Sequence, residues 1–490
     1  MSFNPSLYQI NTRVWIHQFD TAYKPATLAD VPLSYWKNLK DEGMDFVWLM
    51  GVWKPCETTA IYGSTPDNLN YYQTILPDFK VEDVVPSPFA IDDYILNPVL
   101  GTLADLLDLK RTLNDLGMKL ILDFIGNHFS RDSKLIEIEP ELFLQGNQQD
   151  LNQDPGSFFE KNGHVFAHGK DPHYDAWIDS VQVNYFEPVA RRFMADALLK
   201  LTEICDGVRC DMTMLTLNDV FASTWKSLLD RQKRPRPSTE FWHETIHDLK
   251  LKNPDFILIA EVYWNLEYQM HLAGFDYTYD KKLYDFLASN QTNAIHQYLH
   301  AELDYQQKMA RFIENHDEDR SIQVFQKPRV MAAAVAIATL PGLHFYQDGQ
   351  WWGSRIHLPM QLNRTGAESI DESVNSFYQK LLDAVENPVI KHGNWKLNDL
   401  KAVDAIDKTF ENIIAWQWTL ENTVYLIFIN YSGTESQAFC QLNLESQKSD
   451  LELEDLLTDI EYHRNKKEIS QTGLYIKLSG YQSHIFRVEE

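Results

Sequence analysis

Cysteine is scarce in this chain: four residues among 490, at positions 56, 205, 210 and 440. No pair has Cys-x-x-Cys spacing and no histidine cluster lies beside them, which argues against a zinc centre. Cys205 and Cys210 sit in or beside an apolar stretch and read as buried thiols rather than a bridge. Long apolar runs are missing too: no stretch of about 18 apolar residues occurs, so no membrane-spanning helix is expected. The opening MSFNPSLYQINTRVW lacks the basic region followed by an apolar run that marks a secretory leader, and the expected location is cytoplasmic. Positive charge is in deficit, with 44 Lys and Arg against 70 Asp and Glu and a net charge of −26. Such a chain repels phosphate backbones and anionic lipid surfaces, so neither nucleic acid nor membrane is an expected partner, whereas a neutral ligand is. The one basic run, RQKRPRP at 231–237, is short and broken by proline, and reads as an exposed loop. Repeats and low-complexity tracts are absent, and nothing in the sequence specifies an oligomeric state.

What is present is enough apolar material (44%) for a large core and an aromatic fraction of 13%, most of it core filling and some of it suited to the flat faces of sugars. Eight short apolar runs rich in β-branched and aromatic residues alternate with helical patterns: 10–17, 46–53, 119–127, 207–214, 256–264, 275–279, 311–317 and 343–349. Near-continuous apolarity suits parallel strands covered by helices. Between them, 102–116 repeats leucine at helical spacing and stops at Gly117, 187–204 is helical, and 328–340 is an alanine-rich helix ended by Pro341-Gly342. The expected fold class is α/β, a (β/α)₈ TIM barrel formed by 1–128 and 183–395. A polar, poorly periodic segment, 129–182, forms a small subdomain inserted after strand 3. From 396 to 490 the pattern becomes that of a C-terminal antiparallel β-sandwich.

Ionisable groups are costly inside apolar strands, and in a barrel those at the carboxyl ends of strands face the active site. Strand three carries Asp123, Asn127 and His128; strand four Arg209 and Asp211; strand five ends in Glu261; strand seven ends in Asn315, His316 and Asp317. One such residue is as well explained by a buried ion pair or a helix cap. Four strands with this property point to a site. Arg209, two residues from Asp211 and on the same strand face, favours an ionised carboxylate, while apolar Ile-Leu-Ile-Ala before Glu261 favours a protonated one. Two carboxyl groups in different protonation states are what glycoside cleavage needs. A divalent-metal hydrolase using His128, Asp123, His316, Asp317 and Glu261 is the rival chemistry. A cation at Arg209 argues against it, as does the lack of a His-x-His pair on the first strand.

These residues lie in motifs. DFIGNH (123–128), QVNYFEP (182–188), GVRCD (207–211), AEVYW (260–264) and ENHDEDR (314–320) resemble, in order, conserved segments of the α-amylase family (glycoside hydrolase family 13). PFAIDDY (88–94) has the spacing of the family's Gly-Tyr-x-x-x-Asp-Tyr, with Pro88 and Phe89 in the first two places. The resemblance implies a retaining enzyme acting on α-glucosidic bonds, with Asp211 as nucleophile, Glu261 as acid and then base, and Asp317 holding hydroxyls of the distorted sugar. It also implies that His128, His316, Arg209 and Phe89 surround the same ring, with Tyr263 and Trp264 walling the acceptor sugar. The expected substrates are maltooligosaccharides or other α-glucans, cleaved by hydrolysis of α-1,4 bonds. Transfer to a sugar acceptor by the same machinery is the alternative, and a non-catalytic carbohydrate-binding protein the remote one. No cofactor is required for the chemistry. The family's structural calcium would involve Asn127, but the Lys-His that usually follows the nucleophile is replaced by Met212-Thr213-Met214-Leu215, which removes a usual partner of that ion and the usual acceptor contacts. Near strand eight, His344 stands where Pro-Gly-x-Pro would place proline, and Trp351-Trp352 follow, as loop packing or a sugar platform.

Overall fold

The computed structural model describes residues 4–442 and 450–489. Eight parallel strands close a barrel in sequential order. They are β1 (Ser6–Asn11), β2 (Phe46–Met50), β3 (Lys119–Ile125), β4 (Gly207–Asp211), β5 (Ile257–Ala260), β6 (Tyr277–Tyr279), β7 (Met309–Arg311) and β8 (Leu343–Gln347). Every residue of β2, β4 and β5 is buried, which is why these strands read as unbroken apolar runs. Gly207 opens β4 because the barrel is tight there: a Cβ would lie 2.6 Å from the carbonyl oxygen of Ile257 on β5.

The helices follow their sequence signals. Helix α1 (Leu103–Asp115) starts on a capping box in which Thr102 and Asp105 satisfy each other's backbone N–H groups. Helix α2 (Pro188–Ile204) has its proline in the first turn, where no N–H is needed. Helix α3 (Arg329–Thr339) is buried along nearly its whole length, as an alanine-rich helix between two layers should be. It ends before Gly342, whose φ of 115° and contact at 2.2 Å between a Cβ and the Met309 carbonyl oxygen leave room only for glycine.

Two strand positions differ from the sequence reading. The first strand covers 6–11 rather than 10–17: Leu7 pairs with both Phe46 and Phe345, and Thr12–Trp15 turn into a short helix. The apolar signal of Val14, Trp15 and Ile16 belongs to that turn, where Trp15 packs on Tyr35 and Trp36. The seventh strand ends at Arg311, so Asn315, His316 and Asp317 sit on a loop that folds over the barrel mouth.

Between β3 and α2 the chain is zipped by 128–130 pairing with 180–182 and carries a hairpin of 158–161 with 164–167. Beyond residue 394 lie a six-stranded and a three-stranded antiparallel sheet. Alternation along Ile413–Leu420 divides its face: Ile413 and Ala415 enter a core between the two sheets, while Ile414, Trp416 and Trp418 join the barrel's core. Both indole N–H groups donate to the Thr339 carbonyl at the end of α3, at 3.0 and 2.7 Å. Among the described residues no helix is long and apolar enough to cross a membrane.

Candidate active site

At the carboxyl ends of the strands lies a cavity of about 240 Å³, with Asp211, Glu261, Asp317, Arg209, His128, His316 and Phe89 on its walls. Its centre is Arg209, which is fully buried on β4. One end of the guanidinium donates to Asp211 Oδ1 at 2.7 Å, and the other lies 2.8 Å from Glu261 Oε2. The flat face is held by Trp48 and Phe89, at 5.2 and 5.3 Å from their ring centres. Tyr279 accepts from Nε at 3.3 Å. A rigid fork thus fixes two carboxyl groups relative to each other.

Glu261 lies one residue past β5. Its Oε2 also accepts from the backbone N–H of Met212 at 2.7 Å, and its Oε1 accepts from the Tyr263 hydroxyl at 2.8 Å. Met212 reaches that position in a left-handed conformation, φ 42°, immediately after Asp211. Burial dominates the electrostatics of Glu261. It pushes the carboxyl up to about 8, with the negative charges of Asp211 and Asp317 adding to the effect and Arg209 and the Met212 N–H opposing it. Asp317 is the most open of the three acids, with 34% of its side chain accessible. Its pKa is also raised by the surrounding protein, against Arg209 and His357. Asn315 shapes this loop by accepting from the backbone N–H groups of Asp317 and Glu318.

His316 is held between Trp48 and Phe89, and Gln9 Nε2 lies 2.7 Å from its Nδ1. Burial and Arg209 hold its pKa well below the ordinary value, so the ring is neutral. With the Gln9 amide donating to Nδ1, the remaining proton sits on Nε2, which lies 3.2 Å from Asp317 Oδ2 without a well-aligned hydrogen bond to it. His128 packs on Trp177, and burial lowers its pKa. Asp179 is pushed up by burial and opposed by His128.

Tyr263 lies against the Glu261 carboxyl, and Trp264 is 36% exposed with its ring nearly perpendicular to His173, but neither lines the cavity. Asp123, the first acid of the strand-three motif, does not reach the cavity: it lies beneath it and accepts from the Trp48 indole at 3.1 Å and the Gly51 N–H at 2.7 Å. Trp351 is loop packing, tilted at 38° against Tyr8 with ring centres 4.7 Å apart, while Trp352 stays outside the cavity. The stretch after Asp211 turns inward: Thr213, Met214, Leu215 and Thr216 are all buried, and only Met212 faces the cavity. Asn127 is buried, and both its backbone oxygen and its Oδ1 accept from the Gln182 amide, at 2.8 and 2.9 Å. An N–H donor therefore points at the two oxygens that a cation would need, and these residues do not fit a calcium ligand set in this arrangement. Among the described residues no group of three His, Cys, Asp or Glu side chains could hold a metal ion.

The sequence reading missed Gln9, because it lies before the residues taken as strand one. It also missed Trp177, Asp179, Met360 and Gln361, which line the cavity from segments without periodicity.

The family description "Alpha amylase, catalytic domain" matches residues 33–380. The chain belongs to the α-amylase family. It is 24% identical over 398 residues to Alpha-amylase MalA of Haloarcula japonica, covering 76% of this chain and 52% of that protein. It is 25% identical over 316 residues to a cyclomaltodextrin glucanotransferase of Geobacillus stearothermophilus, covering 61% and 40%. The chain thus spans about half the length, or less, of these relatives. In fold it resembles an α-amylase from Lactobacillus plantarum, with 20% identity, a TM-score of 0.65 and 99% of each chain covered. It likewise resembles a noncanonic maltogenic α-amylase from Thermotoga neapolitana, with 19% identity, a TM-score of 0.66, and 100% and 99% covered.

Proposed function

We propose that the protein cleaves α-glucosidic bonds of maltooligosaccharides or related α-glucans with retention, through a glycosyl ester on Asp211. The observation that carries this reading is the Arg209 fork, which holds the Asp211 and Glu261 carboxyl groups side by side at the cavity wall, with burial favouring a proton on Glu261. Close carboxyl groups suit direct attack by one of them, whereas inversion needs them far enough apart to admit a water. Asp211, paired with the guanidinium, attacks the anomeric carbon. Glu261 gives its proton to the departing oxygen and takes one back from the incoming hydroxyl. Its Oε2 already accepts two N–H groups, so the transferable proton resides on Oε1, on the Tyr263 side. Asp317 and the Nε2–H of His316 grip hydroxyls of the distorted ring.

Turnover of maltoheptaose tests the reading, and failure to act on any α-glucan contradicts it. Products shorter than the substrate indicate hydrolysis and longer ones transfer. Transfer has its own support in Met212, which offers apolar surface at the cavity wall next to Asp211 and Glu261. The pH profile gives a further check. The acid acts only while protonated, so kcat/KM should hold through neutrality and fall as pH rises through about 8, the pKa to which burial lifts Glu261. A fall beginning near pH 5 contradicts this assignment.

In the same reading Gln182 takes the place of calcium beside Asn127. Chelation should leave the melting temperature unchanged. Gln182→Glu, which turns an acceptor toward two acceptors in a buried place, should cost about 1–3 kcal/mol in denaturant unfolding. All four cysteines are free thiols, which supports a reducing, cytoplasmic setting.

A further inference from the structure

The barrel order places β1 diametrically opposite β5, with β2 and β8 on its flanks. Glu261 follows β5, and a proton donor stands on the side from which the leaving group departs. The other end of the bound sugar therefore points toward the loops after β1, β2 and β8. These loops are fastened together. Arg13, just after β1, donates to the Pro86 carbonyl at 2.7 Å and to the Met360 carbonyl at 2.6 Å, which joins the loop after β2 to the loop after β8. Val84 and Leu362 form a β-bridge, flanked by Val85 N–H to the Gln361 carbonyl at 2.8 Å and Asn363 N–H to the Asp83 carbonyl at 3.1 Å. Arg364 grips the Asp83 carboxylate with two N–H groups, each at 2.8 Å, and Asp78 at 3.0 Å. Beneath them Tyr72, Leu76, Val84 and Leu362 form a small core of their own. Met360 and Gln361, on the inner surface of this wall, line the cavity.

A wall with its own core, backbone pairing and a buried arginine is a fixed feature of the site. The loops after β5 and β7 carry more accessible groups, Trp264 at 36% and Asp317 with 34% of its side chain open. The volume, about 240 Å³, is small beside the roughly 300–1,000 Å³ of ordinary ligand clefts.

Resting on the function proposed above, we infer that the cavity is a dead-end pocket that receives one glucosyl unit from the non-reducing end of its substrate. The enzyme then works from chain ends or on short glucosides, and not within a chain. Met360 and Gln361 set that limit, because a second sugar on the non-reducing side would have to occupy their place.

The test compares maltoheptaose with the same heptaose carrying a 4,6-O-ethylidene block on its non-reducing glucose, following all products by mass spectrometry. The expected result is loss of one glucosyl unit at a time from the free substrate and a rate lower by roughly 100-fold or more on the blocked one. Comparable internal cleavage of the blocked heptaose overturns the dead-end pocket and leaves the proposed glycosidic chemistry standing. Failure to act on either heptaose, on maltose and on p-nitrophenyl α-glucoside overturns both.

Discussion

Asp211→Asn is expected to lower kcat on the best α-glucan substrate by roughly 10⁴–10⁶-fold, the scale on which loss of a covalent nucleophile acts. The amide occupies the same volume beside Arg209 and cannot form the glycosyl ester. It also weakens the pairing that keeps the guanidinium in place, so the fold must be checked. An unchanged melting temperature with lost turnover assigns the effect to chemistry, because Asp211 lies at the cavity edge of β4 and not in the packed core. Turnover within a few-fold of wild type on every α-glucan would remove Asp211 from the reaction.

Glu261→Gln should cost roughly 10²–10⁴-fold on maltooligosaccharides, the range of general acid catalysis, and should depend on the leaving group. A sugar alkoxide needs a proton to depart, whereas fluoride does not. On α-glucosyl fluoride the first step should therefore proceed at close to the wild-type rate, leaving the second step, which needs the base, to limit turnover. The fall in kcat/KM near pH 8 should vanish with the carboxyl that causes it. An equal loss in the first step on both substrates would mean that Glu261 acts by holding Arg209 and Met212 in position, a role its two bonds to them also allow.

The site was legible where chemistry interrupts apolarity. Arg209, Asp211 and Glu261 stand out because charged residues in strands buried on both faces require a reason, and the structure brings them to one guanidinium. The barrel was legible from its runs of β-branched and aromatic residues, with the first and seventh strands displaced. The apolar run Val14, Trp15 and Ile16 mimics a strand, but pairing to both neighbours falls within Ser6–Asn11, and Gln9 was lost to view with that shift. The closing wall was not legible at all. Arg13 and Asp83 are far in sequence from each other and from Met360 and Arg364, and they meet only because β1, β2 and β8 are neighbours in a closed barrel. Asn127 shows the reverse case. Its motif implies a calcium ligand, while the amide now directed at its oxygens comes from Gln182, whose role depends on the pairing of 128–130 with 180–182.

The central claim is a double displacement with Asp211 as the group that bonds to the sugar. Proton NMR of the sugar released in the first minutes of turnover, before mutarotation mixes the anomers, tests it most directly. The α-anomer is expected as the first product. The β-anomer appearing first would mean direct attack by water and would contradict it.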